Sequence, residues 1–157
     1  MNSFEKYQPV SLSQIVFAQP AVKQDLMDYA TGVATNNILL HGEFGTGKTT
    51  IAKAIANQRC NSEEVLLFNA KSGVKLSLEK LRNQTNWNLI NGDSSLFIVD
   101  EVDRFSANAQ DEIVCFVDEL KNYGGMFIFT TNYYFFKTFR VFCCFNCSNK
   151  QFFTTNF

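Results

Sequence analysis

The sequence predicts an α/β fold built on a parallel, doubly wound sheet flanked by helices. Two observations carry this. Residues 37–41, 65–69, 95–99 and 126–131 are short, nearly continuous apolar runs, as strands buried on both faces are. Segments with apolar residues at helical spacing alternate with these runs, and that alternation belongs to parallel sheets with right-handed crossovers.

Taken in order, residues 4–20 mix polar and apolar positions, with Pro9 and Pro20 as breakers, and read as an irregular arm. Residues 21–29 place Val22, Leu26 and Tyr29 on one helical face, and Gly32 supplies the stop. Asn37-Ile38-Leu39-Leu40-His41 is the first strand. It leads into a glycine-rich turn, after which residues 50–58 align Ile51, Ala52, Ile55 and Ala56 as the stripe of a helix packed on a sheet. A second strand at 65–69 is followed by a helix at 77–83 with Leu78 and Leu81 facing inward. The third strand, 95–99, ends in Asp100-Glu101. A helix over 107–120 then shows Ile113, Val114, Val117 and Leu120 on one side, and the fourth strand, 126–131, ends at Asn132.

The chain has 157 residues, enough for one domain with its own core. Its 14 basic and 15 acidic residues leave a net charge of −1, so no global field marks a nucleic-acid binder and any such contact must be local. No stretch reaches the roughly 18 apolar residues of a membrane span, and the first six residues lack the plan of a signal peptide. The expectation is a soluble, cytoplasmic protein. The odd set of five cysteines does not form a secreted disulfide framework, so reduced thiols are expected.

Gly42-Glu43-Phe44-Gly45-Thr46-Gly47-Lys48-Thr49 satisfies the phosphate-loop pattern, with a strand before it and a helix beginning inside it. Its glycines let main-chain N–H groups gather into an anion nest at the positive end of the helix. Lys48 is expected to reach the β and γ phosphates of ATP, and the Thr49 hydroxyl to hold Mg²⁺; Thr50 completes the loop's binding stretch. In Leu96-Phe97-Ile98-Val99-Asp100-Glu101, two carboxylates emerge at the carboxyl end of a buried strand, where open α/β sheets bind ligands. Asp100 is expected to hold Mg²⁺ and Glu101 to act as general base on water. Asn132, closing the fourth strand, would orient that water.

These residues resemble a known family. The segment 42–49, Asp100-Glu101-Val102-Asp103-Arg104 and Thr130-Thr131-Asn132 look like Walker A, Walker B and sensor 1 of AAA+ ATPases. Glu5-Lys6-Tyr7-Gln8-Pro9, with the segment 12–19 after it, is similar to the N-terminal box of clamp-loader subunits, with Gln8 in place of the usual arginine. The resemblance covers residue 4 to about 132 and is closest to phage and archaeal-type clamp loaders. It implies that Tyr7, Pro9, Ile15 and Val16 cover the adenine, and that the chain works in a ring-like oligomer of AAA+ subunits that hydrolyses ATP to open a sliding clamp and place it on primed DNA. The location implied is a nucleoid or viral replication site, or the nucleus of a eukaryote. The family's serine-arginine-cysteine finger and its helical lid with a sensor 2 arginine are not recognisable here; Arg140 lies too near Asn132 to be that finger. Two alternatives follow: a non-hydrolysing nucleotide-binding assembly subunit, or another AAA+ machine such as a helicase loader or a Holliday-junction motor.

The reading therefore divides the chain into an ATP-binding core, 1–132, with an arm over 1–20, and a tail, 133–157. The tail holds eight of the 17 phenylalanines and three of the five cysteines, a mixture that AT-rich codons read out of frame also produce, so a truncated or frameshifted product is an expectation. Its segment 140–145 is apolar and β-prone, and a fifth strand stays open there. Cys143-Cys144-x-x-Cys147 lacks the fourth ligand of a structural zinc site. His41 reads as a satisfied core residue, and Lys71, Lys75, Lys80 and Arg82 as a solvated helix face more than a DNA contact.

Overall fold

The computed structural model describes residues 8–17, 20–60, 65–69, 79, 82–83, 96–120, 125–133, 143–146 and 151–154. Tyr7, Lys71, Lys75, Lys80 and Arg140 lie outside them, as does most of the helix expected over 77–83, of which Glu79, Arg82 and Asn83 are helical.

Six strands form one sheet: β1 (Ile38–His41), β2 (Val65–Asn69), β3 (Leu96–Asp100), β4 (Met126–Thr131), β5 (Cys143–Asn146) and β6 (Gln151–Thr154), in the spatial order β2-β3-β4-β1-β5-β6. The first five run parallel and β6 pairs antiparallel with β5. The parallel pairing sets Ile38 against Ile128 and Cys143, and Leu96 against Met126. β1 thus lies inside the sheet, between two strands that both follow it in the chain by a long way.

Three helices are described: α1 (Pro20–Thr31), α2 (Lys48–Arg59) and α3 (Ala107–Leu120). Alternation along each strand sends neighbouring residues to opposite faces, which divides the core in two. Ile38, Leu40, Leu96, Ile98, Met126 and Ile128 pack with α1 and α2. Leu39, Phe97, Val99, Phe127 and Phe129 pack with Ile113, Phe116, Val117 and Leu120 of α3. Five phenylalanines, Phe97, Phe105, Phe116, Phe127 and Phe129, lie in this second layer: Phe97 stacks on Phe127 at 4.7 Å between ring centres, and Phe116 meets both edge-on. Helices on both faces of a parallel sheet are the architecture that the apolar runs predict.

Two local features depart from the sequence reading. Pro20 does not break a helix; it opens α1, since a proline at the first helical position has no N–H to lose and its fixed φ suits the turn. The arm is also partly regular. Leu12–Gln14 form a 3-10 turn closed by a capping box with Ser11. Leu12 is fully buried in the α1/α2 layer, and its N–H donates to Gln58 Oε1 at 2.7 Å. At the other end of α1, Gly32 takes φ +83 and the Ala34 N–H returns to Asp28 O at 2.9 Å, a glycine C-cap. Arg59 Nη1 donates to the carbonyls of Tyr29 and Ala34, both at 2.8 Å, and joins the ends of α1 and α2. Among the described residues, no helix is long and apolar enough to cross a membrane.

Candidate functional site

The site lies at the carboxyl ends of β1, β3 and β4. The turn leaving β1 takes glycine where the backbone demands it: Gly45 has φ +82 and Gly47 φ +86, left-handed values that residues with a Cβ disfavour. Gly47 is the N-cap of α2, so the helix opens directly from the loop and presents its positive end there. Thr46 Oγ1 donates to Glu43 O at 2.8 Å and braces the turn from within.

Lys48, the first residue of α2, is buried, and its ammonium donates to Gly42 O at 2.9 Å and Glu43 O at 2.8 Å. The loop is folded around a cation. Beneath it, His41 ends β1 and is also buried; that burial, and secondarily the Lys48 charge, lowers its pKa from the ordinary imidazole value and favours the neutral ring.

The acids come from the end of β3, which lies beyond β4 from β1. Thr49 Oγ1 donates to Asp100 Oδ1 at 2.7 Å, bringing the two residues expected to hold Mg²⁺ into direct contact. Thr130 Oγ1 donates to the same carboxylate oxygen at 2.6 Å. Glu101 follows in the left-handed region, φ 53 and ψ 50, and its N–H donates to Thr130 Oγ1 at 2.9 Å. Its carboxylate pairs with Arg104 Nε at 3.2 Å. Asn132 is fixed through its own N–H, which donates to Asp103 Oδ1 at 3.1 Å.

A cavity of about 280 Å³ opens between these groups, lined by Phe44, Gly45, Gly47, Lys48, Thr49, Thr50, Glu101, Thr130 and Asn132. The structure therefore brings together the loop, both acids and Asn132. Pro9, Ile15 and Val16 do not line this cavity: Pro9 and Ile15 are half-buried, Ile15 against the α1/α2 layer, and Val16 is exposed. The donor set fits the expected groups. A buried ammonium at a helix N-terminus suits polyphosphate, and a hydroxyl touching a carboxylate is the oxygen chemistry Mg²⁺ prefers.

The family model for the ATPase family associated with various cellular activities (AAA) matches residues 38–140. The chain belongs to the AAA family. Its AAA domain is 31% identical over 132 residues to the replication factor C large subunit of Methanococcus aeolicus, covering 78% of this chain and 27% of that protein. It is 29% identical over 136 residues to a replication factor C small subunit of Pyrobaculum arsenaticum, covering 83% of this chain and 42% of the relative. The chain thus spans less than half the length of these curated relatives. In fold, the AAA domain superposes on AMPPCP-bound DnaA from Aquifex aeolicus with a TM-score of 0.59 at 17% identity, over 81% of this chain and 44% of that one.

Three residues within the motif segments are given no role of their own by the sequence. Thr130 donates to the Asp100 carboxylate and accepts from the Glu101 main-chain N–H, Asp103 holds the Asn132 backbone, and Arg104 pairs with Glu101. Thr130 had a signal: it interrupts an apolar strand with a hydroxyl at a position that is fully buried. Arg82 is also more than a solvated cation, since it forks onto the Glu119 carboxylate at 3.1 and 3.2 Å and lies over the Phe116 ring.

Proposed function

We propose that this chain binds ATP and hydrolyses it with Mg²⁺, as part of an AAA subunit that loads a sliding clamp onto primed DNA in a ring with other AAA subunits. The contact that carries the reading is Thr49 Oγ1 to Asp100 Oδ1, because it joins the phosphate loop and the acidic strand end into one site. The clamp-loading role is supported by likeness to proteins named replication factor C, large and small subunits alike.

Each residue has a role in this chemistry. Lys48 exchanges its two carbonyl acceptors for phosphate oxygens and neutralises charge as the terminal phosphoryl group leaves. Gly45 and Gly47 allow the main chain to approach the phosphates closely. Thr49 and Asp100 hold Mg²⁺, which when bound draws charge from the phosphate oxygens. Glu101 takes the proton of the attacking water, and Asn132 orients that water. On the family resemblance alone, Tyr7, Pro9, Ile15 and Val16 are assigned to cover the adenine; Pro9, Ile15 and Val16 stand outside the cavity that the loop and Glu101 line.

Titration of the chain with ATP, with and without Mg²⁺, alongside Lys48→Ala and with phosphate release followed in the same samples, tests the ATPase reading. The expected result is Mg²⁺-supported binding and turnover in the parent, with both lost in the variant. Equal binding by the two proteins overturns it. Capture of a sliding clamp by the ATP-loaded chain, but not by a chain without nucleotide, tests the loading role.

One contact favours a second reading, nucleotide binding without turnover by the chain on its own. Arg104 Nε lies 3.2 Å from one oxygen, Oε2, of the Glu101 carboxylate that would act as base. Under that reading Arg104→Ala raises phosphate release by the isolated chain. An unchanged rate removes the second reading.

A further inference from the structure

β4 is apolar and buried from Met126 to Phe129, and Thr130 continues the strand at 0% exposure with a hydroxyl where valine has nearly the same shape. Burying a hydroxyl is unfavourable unless its bonds are satisfied. Here the proton and a lone pair have separate duties. The Glu101 N–H can only donate, so Thr130 Oγ1 accepts from it at 2.9 Å, and its own proton goes to Asp100 Oδ1 at 2.6 Å.

Those two bonds act on consecutive residues with different tasks. Asp100 Oδ1 receives one hydroxyl from α2, through Thr49, and one from β4, through Thr130, so its carboxylate is held from two sides. Glu101 is the one non-glycine residue with positive φ among the described residues. L side chains disfavour that conformation, and it persists only where the surroundings over-determine it. Its N–H bond to Thr130 and the Arg104 N–H bond back to Glu101 O at 2.9 Å supply that determination. The left-handed turn sets the direction in which the Glu101 side chain leaves the backbone, and Glu101 lines the cavity together with Thr130.

We propose that Thr130 is a positioning residue: through one hydroxyl it holds the Asp100 carboxylate and the main-chain turn that carries Glu101 at the cavity. Its effect on turnover rests on the ATPase reading above; its hold on the turn does not.

The test compares Thr130→Val and Thr130→Ser with the parent in the full chain. Amide hydrogen exchange is measured first, without nucleotide, at Glu101 and at Val99 and Ile128 as controls within the sheet. In Thr130→Val the Glu101 amide exchanges at least about tenfold faster while the controls stay within about threefold, and Thr130→Ser restores protection, as expected when one hydrogen bond is removed and returned. Turnover with Mg²⁺ and ATP is measured second. Thr130→Val lowers kcat roughly 10- to 100-fold with KM within about threefold, and Thr130→Ser recovers most of kcat. Unchanged Glu101 exchange in a folded Thr130→Val overturns the proposal, as does a uniform rise at all three amides, which marks a merely structural role. A parent that neither binds nor hydrolyses ATP defeats the ATPase reading, while the exchange result still decides whether Thr130 holds the turn.

Discussion

Replacing Lys48 by methionine separates what the lysine does for the fold from what it does for a ligand. The ammonium is buried and makes two hydrogen bonds to loop carbonyls at 2.9 and 2.8 Å. A charged donor contributes about 1.5–3 kcal/mol per bond, so the substitution forfeits about 3–6 kcal/mol. It also relieves the desolvation of a buried cation, a penalty of several kcal/mol, roughly the same size. Methionine fills the stem's volume, and the net change in stability is expected within about 2 kcal/mol of zero. For a chain of this size that is a Tm shift of no more than about 8 °C in either direction. Affinity for ATP behaves differently, because the phosphates lose their buried charged partner, a loss of about 2–5 kcal/mol or roughly 30- to 5,000-fold in Kd. Thermal unfolding by circular dichroism and calorimetric titration with Mg²⁺ and ATP measure the two quantities on one preparation. A Lys48→Met chain that keeps its ATP affinity within about threefold refutes the argument; so does one that unfolds far below the parent, since the lysine would then be structural.

Three further expectations follow. Glu101→Gln keeps the side chain's size and removes its basicity, so ATP affinity stays within about threefold while phosphate release falls by roughly 10²–10⁴; equal turnover would take the general-base role away from this residue. Leu12→Ala opens a cavity under a side chain with no exposure and should cost about 2–5 kcal/mol in urea unfolding, and a loss under about 1 kcal/mol would mean that the arm is not part of the core. His41 has a pKa below the ordinary imidazole value of 6.5, so the unfolded chain takes up the proton first as pH falls. Its contribution is fully present above pH 6.5 and is lost as pH falls through the lower folded value; urea midpoints of the parent and His41→Gln should therefore diverge in their pH dependence below 6.5 and run parallel above it.

The strands and the loop were legible because their chemistry is local. A strand buried on both faces must be a short apolar run, and a phosphate-binding turn must carry glycine at positions such as 45 and 47, where φ is positive. Asp100 and Glu101 were legible because two carboxylates after four apolar residues have no reason to be inside. What stayed hidden depends on distance in the chain. Thr130 and Asp103 lie inside the motif segments, but their bonds to Asp100, Glu101 and Asn132 are visible only once β3 is placed beside β4. Leu12 is one of several apolar residues in an arm without regular spacing, and only its seat against α1 and α2 shows it as core. Pro20 reads as a breaker because the same residue that ends helices also starts them, and the difference lies in which side the helix is on. The adenine contacts assigned to Tyr7, Pro9, Ile15 and Val16 rest on resemblance.

The placing of β1 between β4 and β5 has a bearing on how the molecule is made. The strand that delivers the phosphate loop is synthesised first, yet both strands that bond to it, β4 and β5, follow only after β2 and β3. The Phe127 N–H reaches Asn37 Oδ1, beside β1, across 90 residues. Contacts so far apart form late, because a long loop must close before they are rewarded. Until β4 arrives, β1 is an unpaired apolar strand and the nest above it has no floor. A growing chain should therefore gain its hold on nucleotide abruptly, when the fourth strand slots in, rather than step by step as each motif is made.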